Sequence, residues 1–173
     1  KVQLRMNDAS GSSDSATFNL KTLDANKAIA QTVDEINIAN TESLTLTSNG
    51  MKDGTVKTLG KINGGSALTT LTITGSDDLT ISDVGVSNSK LATIDASAFT
   101  GDLTIGDSIA SLNQTITTGS GNDSITFDSG EFTEDDVIDT GANTVLADGT
   151  AGTDTVAAAG NLGSAVDDSV IQL

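Results

Sequence analysis

The sequence predicts an all-β chain wound as a parallel β-solenoid, or β-roll, of short and irregular strands. Three observations predict it. Apolar–Thr–apolar segments recur at a nearly constant interval, each followed by a turn rich in Gly, Ser, Asp and Asn. Aromatic residues make up 2% of the 173 residues, too few for an ordinary globular core, whereas stacked Leu, Ile, Val and Thr can fill a thin one. One turn, Thr118-Gly119-Ser120-Gly121-Asn122-Asp123-Ser124-Ile125, sets glycine, glycine, aspartate and an apolar residue in the order of the nine-residue β-helix repeat G-G-x-G-x-D-x-U-x. Thr118 stands at its first glycine.

The elements follow in order. Residues 2–6 and 16–20 alternate apolar and polar around a Ser/Gly/Asp turn, which predicts an N-terminal β-hairpin or small β subdomain. Residues 23–31, rich in Ala and Lys, read as one or two helical turns. Residues 33–38 and 44–47 read as strands. Residues 49–66 hold five glycines and read as a loop region with short strand pieces around Val56 and Ile62.

A regular series follows at 71–73, 79–81, 91–94, 103–105, 115–117, 125–127, 137–138, 145–146 and 155–156, spaced by about ten residues. A sandwich would share that interval. Short similar turns and short Thr-rich strands favour a solenoid with two strands per coil. The expected organisation is an N-terminal β-rich segment over residues 1–66 leading into a Thr-rich, calcium-binding solenoid over residues 67–173.

Charge locates the chemistry. The net charge is −16, and no Lys or Arg follows Lys90. Residues 1–90 carry eight basic and ten acidic residues; residues 91–173 carry fourteen acidic ones. Such one-signed charge repels itself in a compact fold, and bound divalent cations would relieve it. It also disfavours nucleic acid and anionic membrane surfaces as partners. No apolar run approaches the length of a transmembrane helix, and no signal peptide is visible at Lys1, which suggests a fragment or a processed chain.

Carboxylates and turn carbonyls are hard oxygen donors suited to Ca²⁺. The candidate ligands are Gly119, Gly121, Asn122 and Asp123 in the complete motif, and Gly152 and Asp154 in a loosened copy. Asp139 and Gly141 come about one coil after Gly121; Asp77, Asp102 and Asp107 complete the set. Asp and Asn also close such turns without any metal. No EF-hand loop and no Walker Lys-Ser/Thr sequence is present.

Catalysis has little support. The chain has no Cys and no His, which removes thiolate chemistry and the Ser-His-Asp triad. Paired carboxylates alone could serve a glycosidase, but the aromatic platforms that hold sugars are missing, since Trp and Tyr are absent.

The turn at Thr118–Ile125 resembles a repeats-in-toxin (RTX) calcium motif. The segments 33–38, 68–76 and 91–105 resemble repeats of bacterial surface-layer (S-layer) proteins exported by type I secretion. The resemblance spans residues 33–160. It implies a Ca²⁺-dependent β-solenoid, secretion without a cleaved N-terminal signal, and assembly of identical subunits into a two-dimensional lattice on the cell surface. Cell-surface polysaccharide is the candidate anchor. Tandem perfect nonapeptides are missing, so fewer and less regular calcium sites are expected than in a toxin-type roll. Two other readings remain open: a stalk or ligand-binding segment of a large type I-secreted RTX adhesin, and the C-terminal RTX region of a secreted enzyme.

Overall fold

The computed structural model describes residues 2–3, 11–21, 31–50, 56–84, 88–106, 113–143, 152–159 and 170–172. They form sixteen strands and no helix: β1 (Val2–Gln3), β2 (Ser15–Lys21), β3 (Gln31–Asn37), β4 (Ser43–Asn49), β5 (Lys57–Asn63), β6 (Thr70–Gly75), β7 (Leu79–Ile81), β8 (Thr93–Asp95), β9 (Leu103–Ile105), β10 (Thr115–Thr117), β11 (Ser120–Gly121), β12 (Ser124–Phe127), β13 (Val137–Asp139), β14 (Ala142–Asn143), β15 (Thr155–Ala158) and β16 (Val170–Gln172).

The strands alternate between two seven-stranded sheets. Sheet A runs β1-β3-β5-β7-β9-β12-β15, sheet B runs β2-β4-β6-β8-β10-β13-β16, and β11 and β14 pair on a short third side. Each neighbouring pair whose register is resolved is parallel. The chain therefore makes one strand of each sheet per coil and returns one rung higher, which is the predicted β-solenoid. The recurrence of about ten residues was half a coil: Thr93, Thr115 and Val137 occupy one column, 22 residues apart.

The core follows from this vertical repetition. Alternate side chains point inward, and equivalent residues lie above one another at a spacing of about 4.8 Å. In sheet B, Leu44, Leu71, Ile94, Ile116 and Ile138 form one aliphatic column. In sheet A, Leu59, Ile81, Ile105, Ile125 and Val156 form its counterpart. Apart from the half-buried Val156, every member is fully buried. Each such side chain contributes roughly 1.5–3 kcal/mol through burial. Larger residues fill the ends of the cross-section, where Phe127 stacks at a tilt on Phe132 with ring centroids 5.1 Å apart.

Outward positions are mostly Thr and Ser. Thr58, Thr80, Thr104, Ser124 and Thr155 make one hydroxyl column on sheet A. β-branched Thr is stiff and fits a pleated, half-exposed surface, so the same residue satisfies propensity and solubility.

Two expectations are corrected. The described parts of residues 2–6 and 16–20 do not form a hairpin: β1 pairs with β3 and β2 with β4, both in parallel and in different sheets, and residues 4–6 lie outside the described residues. Their alternation reflects membership of the solenoid, and period-2 patterning carries no information about strand direction. Residues 49–66 hold one full strand where only short pieces around Val56 and Ile62 were expected: β5 spans seven of them and pairs with β3 and β7. Gly60 breaks the apolar alternation there, and the reason is steric. A Cβ at Gly60 would lie 2.5 Å from the carbonyl oxygen of Asp34 on the neighbouring rung. Both sheets run through residue 66 without interruption. The helical turns expected at 23–31 fall, up to residue 30, outside the described residues, and Gln31 opens β3. The strand expected at 145–146 also lies outside them.

Truncating one rung of the sheet B column tests this account. Ile94→Ala should cost about 2–5 kcal/mol, the range for a buried Ile or Leu cut to Ala. Chemical denaturation followed by circular dichroism measures it; a loss under about 1 kcal/mol would mean that Ile94 is not in a packed column.

Candidate functional site: an acidic corner between the sheets

Each coil turns from sheet B into sheet A through a short corner, and the acidic turns lie there. The corner is built on close backbone approach. Ser76 N donates to Ser48 O, Thr100 N to Gly75 O, Ser120 N to Phe99 O, and Ala142 N to Gly119 O, one rung after another. Gly119 sits directly on this ladder, where a Cβ would run into the carbonyl oxygen of Phe99. Gly141 has φ 72° and a Cβ there would meet Gly119 O, so backbone conformation and space both require glycine.

Two adjacent columns run along the entry to sheet A. Register places Asp78, Asp102, Asn122 and Thr153 in the first. Here each side chain accepts the amide of the residue one rung above. Asp78 Oδ1 takes Asp102 N at 3.0 Å, Asp102 Oδ1 takes Asn122 N at 2.8 Å, and Asn122 Oδ1 takes Thr153 N at 3.0 Å.

The second column points into the interior and reads Lys57, Leu79, Leu103, Asp123 and Asp154. Its two carboxylates reach the opposite way along the stack. Asp123 Oδ1 takes Leu103 N at 2.8 Å and Asp154 Oδ1 takes Asp123 N at 2.8 Å. Asp123 is 1% exposed and Asp154 9%. Their second oxygens, Asp123 Oδ2 and Asp154 Oδ2, are buried and have no hydrogen-bond partner. A buried acceptor without a donor is costly, more so when charged.

Burial pushes the Asp123 carboxyl above its ordinary value of 3.8, and the carboxylates of Asp154 and Asp102 add to the rise. The Thr118 hydroxyl beside it and the Leu103 amide oppose the rise. The same hydroxyl lies 2.7 Å from Thr140 O and has one proton to offer either acceptor. The two unpartnered carboxylate oxygens are hard donors, suited to a cation or to a proton.

The structure brings Asp102, Gly121, Asn122, Asp123, Gly152 and Asp154 to this corner. Gly121 pairs with Asn143, and Gly152 O accepts Asn143 Nδ2 at 2.9 Å. Asp77 lies one residue earlier and is engaged by Lys57 Nζ at 2.9 Å. Asp139 belongs elsewhere: it follows Asp95 and Thr117 on the outward face of sheet B, and its Oδ1 caps Gly141 N at 2.9 Å. Gly141 stacks over Gly119, not Gly121. Asp107 lies outside the described residues. Among the described residues, no three acidic side chains converge closely enough to hold a metal by themselves.

One feature escaped sequence reasoning. Lys57, 1% exposed, donates to Leu20 O, Asn49 O and Asp77 Oδ2 and so ties three coils together. Its position in an apolar column was the available signal, hidden while 49–66 read as loop. Asp136, also 1% exposed, closes the opposite turn, taking Gln114 N and Thr133 N at 2.6 Å each. It is a structural cap. Among the described residues no helix is long and apolar enough to cross a membrane. No protein-family model matches the chain, and neither a curated protein nor a solved structure shows significant similarity to it.

Two outcomes follow from this geometry. Gly119→Ala should cost at least about 2 kcal/mol, the upper range of overpacking penalties, and equally in EGTA and in Ca²⁺. Thermal melts under both conditions check it, and a normal melting temperature would remove the steric role of Gly119. The second concerns pH in EGTA. A carboxyl whose folded pKa is raised contributes most below its unfolded value of 3.8, and that contribution is lost as pH rises through the folded value. Asp123→Asn should therefore gain stability relative to wild type as pH rises from below 4 toward neutrality. Paired denaturation curves across that range measure the gap, and a constant gap refutes the shift.

Proposed function

We propose that this chain is a structural module of a bacterial surface layer. It is a calcium-stabilised β-solenoid of RTX type, exported by type I secretion, whose copies assemble into a two-dimensional lattice outside the cell. The supporting observation is the acidic corner: a regular, aliphatic-cored stack interrupted at the point where two buried carboxylates lack a counter-charge. A protein with this interior needs an external cation to close up, and millimolar extracellular Ca²⁺ supplies one. The rod itself has a scaffold's properties, with uniform rungs and long flat faces of Thr and Ser hydroxyls that neighbours can contact. Chemistry on a substrate has no matching constellation in the sequence, so we read the chain as non-enzymatic. Surface polysaccharide is the proposed anchor.

The flat hydroxyl columns on sheet A also suit a stalk or ligand-binding segment of a large RTX adhesin, which is the second reading. One experiment separates the two. The purified chain is dialysed from EGTA into Ca²⁺ and examined by negative-stain electron microscopy. Ordered sheets support the surface-layer module; dispersed rods that gain order by circular dichroism support the stalk. No change in either measurement removes both.

A further inference from the structure

Below the acidic pair, where β2 and β4 end, a polar cleft of about 280 Å³ opens on sheet B, lined by Asn19, Leu20, Lys21, Thr47 and Asn49. We infer that it is a binding site for one sugar-acid unit, a monosaccharide-sized ring carrying a single carboxylate. The site uses neither Asp123 nor Asp154, so it goes beyond the calcium reading and holds for a surface-layer module and a stalk alike.

The register of two adjacent rungs builds the cleft. Asn19 pairs with Thr47 and Lys21 with Asn49. These four alternate with the buried Leu20, Leu46 and Ser48, so they stand on the outward face. Rungs about 4.8 Å apart, and positions about 6.6 Å apart along each strand, set them at the corners of one small rectangle. Lys21 is exposed, yet its stem is guided. A Cβ at Gly50 would lie 3.5 Å from Lys21 Cγ and 3.7 Å from Lys21 Cε. The stem therefore runs along the Gly50 backbone, and the ammonium is carried toward the end of β4.

The polar groups sort into two kinds. Lys57 Nζ donates from inside to Leu20 O and Asn49 O, so the carbonyls behind the cleft are engaged by an ammonium and do not oppose an anion. Asn49 Oδ1 accepts Ser76 N at 3.1 Å, which fixes that amide and leaves Nδ2 as a donor. Lys21 Nζ and Asn49 Nδ2 thus suit a carboxylate. The Asn19 carboxamide and the Thr47 hydroxyl, 3.0 Å from Thr74 Oγ1, both donate and accept, as sugar hydroxyls do.

Charge and size narrow the ligand. The chain carries −16, yet no acid lines this cleft. The neighbouring Asp77 is paired with Lys57. On the same face the first acid up the stack is Asp95, two rungs above Thr45, about 9.6 Å away and about one Debye length at physiological salt. A cleft of about 280 Å³ lies just under the range of drug-sized pockets, so it takes one ring and not an oligosaccharide. No aromatic platform is present, so the carboxylate and not the ring face carries recognition, and a neutral sugar should fail.

The test uses the full chain at neutral pH, with sodium glucuronate as the probe, followed by saturation-transfer NMR and isothermal titration calorimetry. Glucose is the neutral ring and inorganic phosphate the anion without a ring. Glucuronate should bind, equally in EGTA and in Ca²⁺, and glucose and phosphate should not compete with it. Lys21→Gln should weaken binding at least about tenfold, the loss expected for one charged hydrogen bond. Asn19→Asp, which adds a like charge at the rim, should abolish it. Lys90→Gln, an exposed lysine outside the cleft, should bind as wild type does. Thermal melts confirm that each variant is folded. No binding to wild type, unchanged binding to Lys21→Gln, equal competition by phosphate, or binding only in Ca²⁺ each overturns the assignment. None of these results bears on whether calcium orders the solenoid, which the EGTA dialysis decides.

Discussion

Every residue in a parallel solenoid faces its own counterpart one rung away, and that repetition governs the rest of this structure. A column inherits whatever its residue type does in the company of itself. Aliphatic columns gain, because Leu44, Leu71, Ile94, Ile116 and Ile138 bury each other as well as the opposite sheet. Thr and Ser columns on the outside are neutral, since hydroxyls can donate to one another, as Thr47 and Thr74 do at 3.0 Å. Columns of like charge are the exception, because the stacking distance brings their charges to within about 5 Å.

The chain meets that exception in three different ways. In the outer corner column, Asp78, Asp102 and Asn122 spend an oxygen on the next amide, so the backbone dipoles offset the charge. Near the N-terminal end, the inner column carries Lys57, whose three donors are all used and whose partner Asp77 neutralises it. A buried charge with all its hydrogen-bonding capacity filled is tolerable. Higher in the same column the sign reverses, and the solution changes with it. Asp123 and Asp154 satisfy one oxygen each from the backbone and leave the other bare. The column thus holds an ion pair at one end and keeps two unpartnered carboxylate oxygens at the other.

Much of the fold was legible because periodicity is local. Apolar–Thr–apolar triplets and Gly/Asp turns expose strand positions one at a time, and their interval gave two strands per coil. What periodicity cannot carry is partner identity and direction. Residues 2–6 and 16–20 alternate as hairpin strands would, yet β1 and β2 pair with residues 34 and 28 positions further along the chain. β5 was obscured because Gly60 and Lys57 occupy positions where the pattern asks for a side chain with bulk or an apolar one. Both exceptions are tertiary: Gly60 makes room for Asp34 O, and Lys57 is held by Leu20 O from the coil below and by Asn49 O across its own corner.

The site was legible as a composition and not as a geometry. Along the chain, Asp102, Asn122, Asp123, Asp139 and Asp154 look equivalent, each lying in or beside a Gly-containing turn. In space, a single position of register separates them. Asp102 and Asn122 fall in the outer column, Asp139 falls on the outward face of sheet B, and only Asp123 and Asp154 fall in the inner one. The inner position also has glycine close by for a reason unrelated to ligands. Gly119 is small because Phe99 O is in the way, and Gly121 because Gly101 O is. A Gly-x-Gly-x-Asp turn therefore records two separate constraints, a corner too tight for a Cβ and a carboxylate turned into the stack. The first holds in any solenoid corner. The second matters chemically only where the rung above places another carboxylate in line, and in this chain that condition is met between Asp123 and Asp154.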